Sequence, residues 1–160
     1  MKIKTALLII SLCIAVFWNG SASAEDTLPP AVRQLIKAGN VAAIESEAGR
    51  MDEAGSKFLA SLARGEASLI RGDLKQAEIH FRKSMEYNPT GMEGKIGMAK
   101  VLAAGKETGK AIQLLNDSLR TSPHPVRLHY EKGLILEAAG DLQGASRAFE
   151  QGLERYFSKR

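Results

Sequence analysis

Histidine and cysteine, the side chains that most often bind zinc or act as activated nucleophiles, are few in this sequence, and they are widely spaced. The histidines are His80, His124 and His129, and the one cysteine is Cys13. A zinc site needs three or four converging ligands, and a separation of five residues does not place His124 and His129 on one helix face. A single cysteine excludes a disulfide framework and any cluster held by several thiolates. We therefore expect no metal site and no cofactor.

Motifs for covalent or phosphate chemistry are also missing from the sequence. It contains no G-x-S-x-G, no H-E-x-x-H and no P-loop, because the closely spaced Gly91, Gly94 and Gly97 are not followed by Lys-Ser/Thr. Glu45 and Glu47 lie on opposite sides of a short predicted helix, and we interpret both as solvated. We expect no catalytic residues, and we predict that the protein is not an enzyme.

The elements that carry these residues are predicted to be helices. Of 160 residues, 44% are hydrophobic and 25% are charged, which are ordinary globular values, and only 6% are aromatic. Alanine, leucine, glycine, lysine and glutamate dominate the composition. The sequence therefore favours a single all-α domain over a β-rich, collagen-like or disordered chain.

The first 24 residues have the three-part pattern of a secretory signal peptide. A basic start is followed by an apolar run over 5–18 and by Ala-Ser-Ala at 22–24. The apolar run is shorter than the roughly 20 residues that a membrane-spanning helix needs. We expect cleavage after residue 24, which leaves a periplasmic chain that begins at Glu25 and has no membrane span. The alternative is a retained N-terminal membrane anchor.

Loss of this segment changes the charge balance of the protein. The whole chain has 22 Lys and Arg against 18 Asp and Glu, a net charge of +4. Removal of Lys2 and Lys4 leaves 20 against 18, a net charge of +2. A chain with so small a net positive charge is not expected to bind nucleic acid. Because Cys13 leaves with the signal peptide, thiol chemistry and disulfides are excluded in the mature chain.

A repeat of 34 residues is the main signal in the rest of the sequence. Gly72-Asp73-Leu74 returns as Gly140-Asp141-Leu142, which is 68 residues or two periods later. Residues of matching size recur at the same step. These columns are Gly65/Ala99/Gly133, Ala77/Ala111/Ala145, Phe81/Leu115/Phe149, Ser84/Ser118/Gly152 and Met85/Leu119/Leu153.

The columns resemble the tetratricopeptide repeat (TPR) family, whose unit has small, alanine, aromatic and proline landmarks at these offsets. The resemblance implies an all-α fold, a right-handed α-solenoid of antiparallel helix pairs with about three repeats. We assign TPR 1 to 58–91, TPR 2 to 92–125 and TPR 3 to 126–160. Residues 25–30 are predicted to be a linker. Residues 31–57 are predicted to be an N-terminal helical cap or degenerate half-repeat, and whether they complete a fourth repeat stays open.

The columns also suggest how the helices pack. Small residues on both helices of a pair allow a close approach, and Phe81, Leu115 and Phe149 are expected to fill the wedge between successive pairs. The Gly-Asp sequences at 72–73 and 140–141 are predicted to end one helix and cap the next. The second repeat lacks this sequence, so we expect its turn to be the loosest.

The resemblance further implies where a partner binds. In TPR proteins the concave face is formed by the first helix of each pair, and the corresponding face here has an apolar floor with mixed charge. Its Leu62, Arg127 and Tyr130 are predicted to be anchors, whereas for Leu69 and Ile70 burial between helices is an equal alternative. The predicted partner-binding residues are Leu59, Leu62, Glu66, Leu69, Ile96, Lys100, Arg127, Tyr130 and Leu134.

The last predicted helix suggests a second possibility. Leu153, Tyr156 and Phe157 are apolar residues that no further repeat covers, and terminal repeats usually have a polar outer face. Self-association through these residues, as a homodimer, is therefore the alternative to partner binding. The leading interpretation is a non-enzymatic adaptor or scaffold of the bacterial cell envelope that holds a protein or peptide partner.

Overall fold

The computed structural model describes residues 27–122 and 125–158. Over these residues no helix is long and apolar enough to cross a membrane. The predicted signal peptide, its cleavage position, Cys13 and His124 lie outside the described residues. The described residues form eight helices, which are α1 (Pro30–Lys37), α2 (Val41–Glu53), α3 (Lys57–Arg71), α4 (Leu74–Tyr87), α5 (Glu93–Ala104), α6 (Thr108–Thr121), α7 (Pro125–Ala138) and α8 (Leu142–Phe157).

The helices divide into two compact units, and the boundary lies between Gly105 and Lys106. The first unit contains α1 to α5, in which α2 packs on α3, α3 on α4 and α4 on α5. The second unit contains α6 to α8, in which α6 packs on α7 and α7 on α8. The boundary falls inside the predicted second repeat, at the turn for which the sequence lacks a Gly-Asp pair.

The turn between α3 and α4 shows how two residues end one helix and start the next. Gly72 has a φ of 76°, a left-handed conformation that glycine adopts without strain. Its amide and that of Asp73 donate to the carbonyls of Leu69 and Ser68 at 3.0 and 2.9 Å, which satisfies the end of α3. The Asp73 carboxylate accepts from the amide of Gln76 at 3.0 Å and so caps α4.

The same arrangement recurs two periods later, and the intermediate turn departs from it. Gly140 has a φ of 86°, and Asp141 caps α8 by accepting from the amide of Gly144 at 2.8 Å. The predicted role of both Gly-Asp sequences is therefore confirmed. At the middle position Lys106 has a φ of 65°, which strains a residue that carries a Cβ. Within the described part of the chain, the side chain of Glu107 makes no capping bond at the start of α6.

The first unit has two hydrophobic clusters that share α3. The first lies between α1, α2 and α3 and includes Val32, Ile44 and Ala63. The second lies between α3, α4 and α5 and consists of Leu62, Ala77, Phe81 and Val101. Because α3 contributes to both clusters, a side chain that lies along it can contact either one.

Phe81 packs as expected between one helix pair and the next. A Cβ built at Gly65 of α3 would lie 2.6 Å from the ring of Phe81, and a Cβ built at Gly97 of α5 would lie 2.2 Å from it. In the second unit, a Cβ built at Gly133 of α7 would lie 2.3 Å from the ring of Phe149. Each of these three glycines therefore allows a phenylalanine ring to rest directly on a helix backbone.

The pair formed by α1 and α2 precedes the first repeat with a shifted register. Asn40 caps α2 by accepting from the amide of Ala43 at 3.2 Å, as residue 73 caps α4. These two capping residues are 33 residues apart, one residue fewer than the repeat length. Ile44 rather than Ala43 therefore stands in the alanine column, and Ile44 is fully buried. Ala48 occupies the position that corresponds to Phe81, so the large and small residues have exchanged places.

Candidate functional site

The face formed by the first helices of the repeats is divided between the two units, and each part is described by itself. In the first unit it is formed by α3 and α5, which pack on one another. Residues at 59, 62, 66, 69 and 70 of α3 have the spacing of one helix side. At the centre of this α3–α5 face, Lys100 donates to Glu66 at 2.8 Å. The two residues are one repeat length apart in sequence.

The Glu66–Lys100 ion pair is partly shielded from water. The Glu66 side chain is 17% exposed and the Lys100 side chain is 33% exposed. At this depth salt screens the attraction less than it does at an open surface. The pair therefore fixes a charged, hydrogen-bonding group in the middle of a face that is otherwise apolar.

The apolar residues of the α3–α5 face differ in accessibility. Leu62 and Ile96 are only 3% and 1% exposed and pack in the core of the first unit. Leu59 and Leu69 are half-buried, and Ile70 is 39% exposed. The accessible part of the face is therefore the side of α3 that carries Leu59, Leu69 and Ile70, next to the ion pair.

In the second unit, the predicted site residues of α7 are engaged by their own neighbours. Arg127 donates to Glu131 at 2.8 Å, and the two side chains are 18% and 8% exposed. The ring of Tyr130 packs against Phe149 of α8 with centroids 5.9 Å apart, and Leu134 packs against the same cluster. Tyr130 and Leu134 therefore contribute to the α7–α8 core, and Arg127 is held in a largely buried ion pair.

His129 is a buried titratable group between α7 and α8. A Cβ built at Gly152 of α8 would lie 3.3 Å from its Cβ, so a larger residue there would press on the histidine. Its Nδ1 has no hydrogen-bond partner within the described residues. Burial, with smaller contributions from Lys132 and Arg155, lowers the pKa of His129 below its ordinary 6.5. The imidazole is therefore neutral near pH 7.

The described residues contain no group of three histidine, cysteine, aspartate or glutamate side chains that could hold a metal ion. His80 lies on α4 and His129 on α7. Burial also lowers the pKa of His80, and the positive charges of Lys83 and Arg64 add to this effect. Both histidines are thus neutral at physiological pH.

A network of charges between α2 and α3 is a feature that sequence reasoning missed. Glu45 accepts from Arg71 at 2.9 Å and lies 3.8 Å from Arg64, which pairs with Asp52 at 2.5 Å. Glu45, which the sequence predicts to be solvated, has a side chain that is 33% exposed, and it also pairs with two arginines of the following helix. These ion pairs do not recur at the 34-residue step, so the repeat pattern of the sequence does not predict them.

The apolar residues near the end of α8, like those of α3, differ in how accessible they are to solvent. Leu153 packs against the α7–α8 core. Tyr156 and Phe157 contact one another edge to face, with ring centroids 5.4 Å apart, and Phe157 is 61% exposed. Of the three residues predicted for self-association, Phe157 therefore offers the most accessible apolar surface.

The fold is similar to that of a solved structure with little sequence similarity. The crystal structure of MamA, a TPR-containing protein, matches 80% of this chain and 86% of its own, with a TM-score of 0.53 and 18% identity. At this identity the likeness is evidence for the fold alone. A scan against known protein families and a search of the curated proteins give no match. The predicted all-α, TPR-like solenoid class is confirmed.

Proposed function

We propose that this protein is a non-enzymatic adaptor that binds a peptide or a helix of a partner protein on the α3–α5 face. The observation that carries the proposal is Ile70, which is 39% exposed beside half-buried Leu69 and one turn from the Glu66–Lys100 pair. Repeat scaffolds of this class present such faces to extended or helical partners. An apolar patch with a fixed charge pair offers burial for affinity and a polar contact for orientation.

We also propose that the chain is a divergent TPR protein of the bacterial cell envelope. The columns at 34-residue steps and the fold likeness support the family, and the signal-peptide pattern over 1–24 supports export. N-terminal sequencing of the exported form is expected to find Glu25 as the first residue. An intact Met1 in the membrane fraction would contradict cleavage and favour the anchored alternative.

Two isoleucines of nearly equal exposure provide a matched test of the binding face. Ile70 on α3 is 39% exposed and Ile79 on α4 is 37% exposed, but they lie on the first and second helix of one pair. The immobilised wild-type chain is expected to retain a specific envelope protein from an extract of its own cells. Ile70→Glu should lose that protein, and Ile79→Glu should keep it.

The result of this comparison decides whether the partner binds at Ile70. If Ile70→Glu retains the protein as well as the wild type does, the partner binds elsewhere. If Ile79→Glu loses it and Ile70→Glu does not, the second helices form the binding face and the proposal is wrong. Circular dichroism of both variants should show unchanged helicity, because each replaced side chain is already in contact with water.

Self-association is the second candidate function, and Phe157 favours it. A side chain of this size that is 61% exposed offers apolar surface that a second copy can bury. Light scattering over about a hundredfold range of concentration measures this directly. A wild-type mass that rises with concentration, and a Tyr156→Glu/Phe157→Glu variant that stays monomeric, would support it. A wild-type chain that is monomeric throughout would exclude it.

A further inference from the structure

The residues in front of α1 are not helical, and yet they contribute to the core. We call residues 27–29 the N-terminal strap. Pro29 has φ and ψ of −52° and 148°, in the polyproline II region. Leu28 is half-buried and packs against both hydrophobic clusters of the first unit. The strap thus reaches the core between α1 and α3 as well as the core between α3 and α5.

Two consecutive prolines explain why the strap is not helical. Pro30 occupies the first turn of α1, where its missing amide costs nothing. Pro29 precedes a proline, and a residue in that position is pushed towards extended backbone, as is Leu28 before Pro29. α1 therefore has 8 residues where α3 has 15, and the chain enters it through the extended Pro29.

Leu28 of the strap shares its packing partners with the end of the proposed binding face. Leu59 of α3 packs against the same two clusters as Leu28. Leu62, one turn further along α3, is a member of the second cluster. Leu59 and Leu62 are neighbours on one helix side and form the N-terminal end of the α3–α5 face.

We propose that the strap is an intramolecular occupant of the Leu59–Leu62 end of the α3–α5 face, and that this end accepts an extended segment in which leucine precedes proline. The inference rests on the proposed function, because it names the class of peptide that the face binds. Leu28 is half-buried rather than fully enclosed, so an external segment of the same kind can displace it. A chain whose strap is bound cannot bind such a segment at this end of the face. The apparent affinity for the segment is therefore reduced in proportion to the fraction of chains whose strap is bound.

Single cysteines measure whether the strap covers the face. In a Cys13→Ser background the chain has no thiol, so a Leu59→Cys variant reports the accessibility of that position through its rate of reaction with a maleimide. Adding Leu28→Ala is expected to raise this rate about fivefold, which is the factor expected for loss of a half-buried leucine contact. Leu128→Cys is the control, because Leu128 is 0% exposed on α7 of the second unit, away from both clusters that Leu28 contacts, and its rate should not change.

A peptide added in trans tests the ligand class. An acetylated peptide with the sequence of residues 25–31 is expected to slow the reaction of the Leu28→Ala/Leu59→Cys chain. The same peptide with alanine in place of its leucine should not slow it. Competition by the first peptide alone supports an extended leucine-proline segment as the ligand of this end of the face.

Several results would overturn the inference, and they are distinct from failure of the proposed function. If Leu28→Ala leaves the rate at Leu59→Cys unchanged, or raises the rate at Leu128→Cys equally, the strap is not a local cover. If the protection of Leu59→Cys depends on protein concentration, a second copy supplies the segment. If the peptide does not compete, the ligand class is wrong. In each case the comparison of Ile70→Glu with Ile79→Glu still decides whether a partner binds this face.

Discussion

Replacing glycine with alanine at Gly97 and at Gly49 should change the stability of the protein in opposite directions. Both glycines lie inside helices, Gly97 in α5 and Gly49 in α2. In open space this replacement stabilises a helix by about 0.5–1 kcal/mol, because alanine loses less backbone entropy on folding. A Cβ built at Gly49 has no other group within 4 Å, so Gly49→Ala should gain that amount.

At Gly97 the added methyl group meets the ring of Phe81. The built Cβ lies 2.2 Å from two ring carbons, far inside the roughly 3.5 Å of an ordinary carbon contact. Phe81 is fully buried, and Gly65 lies against the same ring, so the ring cannot move without a shift of α4 or α5. Overpacking of this kind costs about 1–3 kcal/mol, so after the gain in helix propensity the net loss is up to about 2.5 kcal/mol and about 1.3 kcal/mol at the middle of both ranges.

Urea unfolding followed by circular dichroism measures both changes. With a slope of about 1.5 kcal/mol per molar urea, the midpoint should fall by about 1 M for Gly97→Ala and rise by about 0.5 M for Gly49→Ala. Phe81→Leu combined with Gly97→Ala should cost less than the sum of the two single changes, because the smaller side chain relieves the contact. Midpoints that move in the same direction, or additive costs, would refute the packing of Phe81 on α5.

Three further predictions concern the turn, the second repeat and pH. Lys106→Gly should raise the free energy of unfolding by about 1 kcal/mol, because glycine adopts this backbone conformation without strain. Glu107→Asp should raise it by about 0.5–1 kcal/mol, because aspartate can cap α6. If neither variant has a higher urea midpoint than the wild type, the turn is not strained. Ala111→Leu should cost about 1–3 kcal/mol in the same assay, since Ala111 is fully buried. Burial lowers the pKa of His129 in the folded state. As the pH falls below 6.5, the unfolded state therefore binds a proton at His129 before the folded state does. The contribution of His129 to the free energy of unfolding should be complete above that pH and decline below it. Thermal melts should show this decline reduced in His129→Gln, and an equal decline in both chains would contradict it.

The packing of the repeats could be predicted from the sequence because the packing positions recur at a fixed step. The Gly-Asp turns and the wedge position of Phe81 follow directly from such columns. Gly97 belongs to no column, since Ala63 and Glu131 stand one step before and after it. Nothing in the sequence therefore indicates that the ring of Phe81 rests on the α5 backbone.

The candidate site could be predicted only in part. Helix periodicity places Leu62, Ile70 and Ile96 on the sides of their helices that form the α3–α5 face, but it does not show how deep each one lies. Depth depends on the neighbouring helix, and the structure leaves Ile70 accessible while it buries Leu62 and Ile96. The contact of Leu28 with both clusters depends on a proline-directed extended segment that no repeat pattern describes.

Site-specific photocrosslinking in living cells tests the central claim most directly. A photoreactive phenylalanine derivative at position 70 should give an ultraviolet-dependent adduct of one defined mass, because Ile70 lies at the accessible part of the α3–α5 face. The same derivative in place of Ile79, which is almost equally exposed on α4, should give none. Adducts at position 79 without any at position 70 would contradict partner binding on the α3–α5 face.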